Sequence, residues 1–128
     1  MIAALIALAL GQLVPFRPID WDTLPALPLR AAPPVTPQIT AFVVGEMVSG
    51  KCPMPEAVDG RRTVRADVAV LIGEGGMPRS TIAHAIHCPT VEQYAAGLIT
   101  AHARTNLIPR LVEEGRWYRA TVVFDWAE

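Results

Sequence analysis

A chain of 128 residues, 52% of them hydrophobic, is long enough for one domain with a single core and too apolar for global disorder. The formal net charge is −1, and Lys51 is the only lysine. Arg61, Arg62 and Arg65 form the only basic cluster, too sparse for a nucleic-acid surface.

The chain opens "MIAALIALALGQLVPF". Its apolar run has the length of a signal-peptide core, whereas a membrane-spanning helix needs about 20 apolar residues. Gln12, Pro15 and Arg17 interrupt it too early for that, and Ala9 and Gly11 stand at the small-x-small spacing of a cleavage site. Residues 1–11 are therefore expected to be a cleaved signal, and the protein periplasmic or secreted. Membrane contact follows only if the segment stays as a short anchor. Residues 12–37 are rich in proline, which fixes φ and removes a donor, so they predict an extended linker of polyproline II character. Trp21, Leu24, Leu27 and Leu29 give that tether some capacity to pack on the domain. Two cysteines in a small exported chain suggest a disulfide. A Cys52–Cys88 bridge would close a loop of about 37 residues and contribute roughly 4 kcal/mol.

Residues 38–128 form the predicted domain. "QITAFVVGEMVSG" suggests a short additional N-terminal strand, and "KCPMPEAVDGRR" an irregular loop. In "TVRADVAVLIG" the residues Val64, Ala66, Val68, Val70 and Ile72 alternate with Arg65 and Asp67, a strand with one dry face. "GEGG" supplies the positive φ of a hairpin turn, and "RSTIAHAIH" alternates again as a second strand. Thr90 with Gln93 predicts a capping box opening a helix. Val91, Tyr94, Ala95, Leu98, Ile99 and His102 lie on its buried face, with Gly97 on the flank as a place for close approach. Asn106 and Pro109 end it. "RWYRATVVFDW" is the last strand. The order strand-strand-helix-strand predicts an α+β fold, a small antiparallel sheet with one helix packed across it.

Little in the chain points to chemistry. "GEGG" leads into a strand without a following lysine or helix, unlike a phosphate-binding loop. His84 and His87 would point to opposite faces of a strand, and Cys52 and His102 are too remote to complete a compact metal set. His84 and His102 are expected as core or helix-facing histidines with hydrogen-bond partners. Glu113 and Glu114 fall in a loop, and no carboxylate pair is placed for acid–base work. The expectation is a protein without enzymatic activity, metal, cofactor or small-molecule substrate. The alternative, a small hydrolase or thiol enzyme using Cys88 with His87 or His102, rests on residue types alone.

The portion from Cys52 to Trp126 resembles the C-terminal domain of the TonB family of periplasmic energy transducers. Cys52-Pro53 stands in the place of the family's Tyr-Pro, and "VRADVAVLIGEGGMPRSTIAHAIH" in that of its strand-turn-strand. "VEQYAAGLITAHA" matches the helix with its Ala-Ala pair, Pro109 and Gly115 fall in the following loop, and "YRATVVFDW" is the aromatic-rich final strand. His87-Cys88-Pro89 replaces the family's Ser-Ser-Gly. The resemblance implies a module that recognises an extended peptide of a protein partner, such as an outer-membrane transporter, by strand addition. Main-chain groups of the last strand would give affinity, and Tyr118, Arg119, Thr121, Val123 and Trp126 would line the binding edge. Two further expectations compete with this one. The segment 39–48 covers that edge, or an exported structural protein keeps the fold without receptor binding.

Overall fold

The computed structural model describes residues 18–128. The apolar segment read as a signal lies outside them. The described residues form a three-stranded antiparallel sheet and two α-helices, an α+β arrangement. The strands are β1 (Arg61–Ile72), β2 (Pro78–Ala83) and β3 (Trp117–Ala127), in the order β2-β1-β3. The helices are α1 (Pro37–Val48) and α2 (Pro89–Asn106). Within the described residues none is long and apolar enough to cross a membrane.

Period-two alternation sets the sheet. Val64, Ala66, Val68 and Val70 of β1 pair in register with Phe124, Val122, Ala120 and Tyr118 of β3, and these residues and Ile72 are all buried. Val91, Ala95, Ile99 and Ala103 recur at helical spacing and turn one face of α2 onto this layer. The opposite face carries Arg65, Asp67, Thr121 and Asp125 and is wetter, apart from the fully buried Ala69. The glycine turn is a short 3-10 segment in which Gly75 and Gly76 both take positive φ, joining β1 to β2 as expected.

Several local expectations are corrected. Residues 38–50 are not a strand but most of α1. Thr36 accepts a hydrogen bond from the Ile39 amide at 3.3 Å, and Pro37 occupies the first turn, where its missing N–H costs nothing. Val43 and Met47, one turn apart, are buried in the core. The second strand ends at Ala83 rather than continuing to His87, whose φ of 60° breaks extended geometry. The Thr90/Gln93 capping box does not form. The N-cap of α2 is Cys88, and the Glu92 carboxylate reaches back to accept from the amides of Cys88 at 3.0 Å and Ile86 at 3.1 Å. The Thr90 hydroxyl instead donates to Glu46 of α1 at 2.9 Å. Gly97 is exposed, and a Cβ there would meet nothing within 4 Å, so it permits no close approach.

Cys52 and Cys88 are joined, and both are buried in the core cluster. The bridge ties the segment after α1 to the start of α2. The described part of the proline-rich segment, from residue 18 onward, packs on the fold. Leu27 is 6% exposed, Leu29 bridges to Leu107, and the Arg30 amide donates to the Asn106 carbonyl at 2.8 Å.

Candidate functional site

The parity of hydrogen bonding in β3 determines which backbone groups the sheet leaves over. In an antiparallel pair, alternate residues direct N–H and C=O toward one neighbour, and the residues between direct theirs away from it. The Arg119 amide donates to the Pro25 carbonyl at 2.8 Å, and the Arg119 carbonyl accepts from Leu27 at 2.8 Å. Odd-numbered residues of β3 therefore face away from β1. Ala26 forms a parallel bridge with Arg119, so residues 25–27 add a short strap to this edge. Pro28 follows, lacking an N–H, and the chain leaves the edge for the end of α2. Beyond it, the amides and carbonyls of Thr121, Val123 and Asp125 meet no partner among the described residues.

The residues expected at the binding edge divide by this parity. Tyr118 is buried, and its hydroxyl accepts from the Glu113 amide at 2.9 Å. Trp126 packs against the core cluster. Both belong to the dry face. Arg119 is half-buried, its main chain engaged by the strap and its guanidinium donating to the Trp21 carbonyl at 3.2 Å. The Thr121 hydroxyl donates to Asp67 at 2.6 Å, which leaves its main chain available. Val123 is 47% exposed. Segment 39–48 does not cover the edge by strand pairing, since it is helical and the covering strand is the strap at Arg119.

One side of this stretch is walled by α1. Val35, Pro37, Thr40, Ala41, Val44, Gly45 and Val48, together with Asp125, line an open groove of about 660 Å³. These helical positions recur every three or four residues, forming one flank, while Val43 and Met47 point into the core. The sequence pattern does not mark this wall, because over residues 38–50 it suggests a strand. The signal of the helix is the i, i+4 spacing of Ile39, Val43 and Met47.

The other sheet edge is less receptive. β2 spans 6 residues against 11 in β3 and opens with Pro78-Arg79, while Arg104 of α2 lies beside it. Short length, proline and positive charge discourage pairing with another strand.

The histidines occupy separate environments. His84 is exposed rather than in the core, stacked on Trp21 with ring centroids 4.5 Å apart. His87 is exposed in the turn before α2. His102 is half-buried, its Nε2 2.7 Å from the Ala31 carbonyl and its Nδ1 3.2 Å from Asn106. With both cysteines in the disulfide, neither sulfur is a thiolate nucleophile in this state. Among the described residues no cluster of three His, Cys, Asp or Glu is placed to hold a metal ion.

The arrangement is that of a small sheet with one unsaturated edge beside an apolar helix flank. No protein-family model, curated protein or solved structure matches the chain.

Proposed function

We propose that this protein is a non-catalytic binding module that takes an extended segment of a protein partner as an added strand on the β3 edge. The observation that carries the reading is the run of outward-facing backbone groups at Thr121, Val123 and Asp125, adjacent to Arg119, where residues 25–27 already pair in the same manner. Strand addition obtains affinity from main-chain hydrogen bonds and selectivity from alternate side chains. Each bond contributes about 1 kcal/mol net, against the cost of ordering the guest, so affinity is expected between millimolar and micromolar.

The resemblance to the TonB C-terminal domain points the same way. An exported location and an outer-membrane transporter as partner belong to this proposal, as does a role in transport. A disulfide linking the turn after α1 to α2 suits an oxidising compartment.

Titrating labelled protein with capped extended peptides tests the reading. Amide shifts should concentrate at Thr121, Val123 and Asp125 and on the α1 flank facing them. Shifts spread evenly over the surface, or confined to β2, would count against it.

A further inference from the structure

Gly45 lies in the interior of α1, where glycine costs about 1 kcal/mol relative to alanine. No packing requirement accounts for it: a Cβ at this position would meet nothing within 4 Å. The backbone there is helical, without the positive φ that would call for glycine. Gly45 opens instead onto the groove beside β3, among Ala41, Val44 and Val48.

We infer that Gly45 is the floor of a side-chain subsite that receives one large apolar residue, a Leu or Phe, from the strand paired with β3. The inference rests on the strand-addition reading and adds what that strand must carry. Side chains of an added strand alternate between sheet faces. One set falls on the α1 side, the face that bears Val122 and Phe124, and there meets Val35, Ala41, Val44 and Val48. Nearly all of this lining is apolar, Thr40 and Asp125 excepted, and the open groove has room for a Leu or Phe side chain. The other set falls beside Thr121, Val123 and Asp125, where polar residues are tolerated.

The occupant is a foreign peptide rather than a second copy of this chain. If two β3 edges met, each would present Val122 and Phe124 on the α1 face, and both are already sealed in their own core at 2% and 0% exposure. Trp126, on the same face, packs against its own core cluster, so a second copy has no free β3 side chain to place over Gly45. Continuity with the strap at Arg119 sets the register, because residues 25–27 block a guest from sliding toward Trp117.

The test uses capped hexapeptides in which threonine alternates with a variable residue, Ala, Leu or Phe, titrated into the intact protein and its Gly45→Val variant. With the native protein the Phe and Leu peptides should bind at least tenfold more tightly than the Ala peptide. Gly45→Val should weaken the Phe peptide at least tenfold and leave the Ala peptide unchanged. Its melting temperature should not fall, since a Cβ there meets nothing within 4 Å and glycine is the poorer helix former. Equal binding of the three peptides, with shifts at Thr121, Val123 and Asp125, would overturn the subsite and leave strand addition standing. Absence of shifts on β3 with every peptide would overturn both. A dimer through the β3 edge, seen by sedimentation and not displaced by the Phe peptide, would also overturn the subsite.

Discussion

Glu92 folds its carboxylate back over the start of α2 and accepts from two amides, Ile86 and Cys88, that the turn leaves without carbonyl partners. Replacing it with alanine strands two partly buried donors, and Glu92→Ala should lose about 2 kcal/mol in urea unfolding. Glu92→Gln keeps an acceptor oxygen and should lose about half as much or less. Equal losses would mean that charge at the helix start, not hydrogen bonding, is the main contribution. Gly97 offers the opposite case. It sits exposed in mid-helix with room for a methyl group, so Gly97→Ala should add about 1 kcal/mol and raise the melting temperature by about 4 °C. The capping device was only half legible in the sequence. Thr90-x-x-Gln93 fits the expected pattern, but the helix starts two residues earlier, at Pro89, and an acidic residue that follows can bend back as readily. A composition pattern does not rank those two solutions.

At the scale of elements, β3 makes a sharp prediction for hydrogen exchange. Amides of Ala120, Val122 and Phe124 face β1 and should exchange slowly, as should Arg119, held by Pro25. Thr121, Val123 and Asp125 should exchange faster, producing an alternating profile along one strand. Uniform protection over Arg119 to Asp125 would mean that the edge is already paired and would remove the basis for strand addition. The strands were readable because alternation is strict where one face is dry: Arg65 and Asp67 interrupt valines and alanines in β1, and Arg119 and Asp125 do the same in β3. α1 was less readable for a physical reason connected with its position. Val43 and Met47 face the core, but Ala41, Val44 and Val48 on the other flank are apolar too, because they line the groove. A helix apolar on both sides loses its 3.6-residue contrast, and its adjacent valines then favour a strand reading. The feature that concealed the helix is the one that forms the candidate site.

For the whole molecule, two long-range ties connect parts that the sequence order leaves apart. The disulfide joins the segment after α1 to α2, and the strap joins the proline-rich region to β3 and the end of α2. The first was legible from cysteine count. The second was legible only as a possibility, since Leu27 differs little in print from Leu24 or Leu29, and only the fold shows that it is buried. Reducing the bridge, or replacing both cysteines with alanine, should lower stability by roughly 4 kcal/mol, measured by urea unfolding. The strap has a different consequence, because it caps the edge as well as filling the core. Leu27→Ala should lose between about 2 and 5 kcal/mol through the cavity it leaves. Loosening of the pairing should at the same time make the Arg119 amide exchange as fast as Thr121. The open edge then extends two residues toward Trp117, and exposed edges pair with one another. The variant should therefore self-associate at lower concentration than the native chain in sedimentation equilibrium. Loss of stability with Arg119 still protected would show that residues 25–27 hold the edge through their backbone alone, independently of the buried leucine.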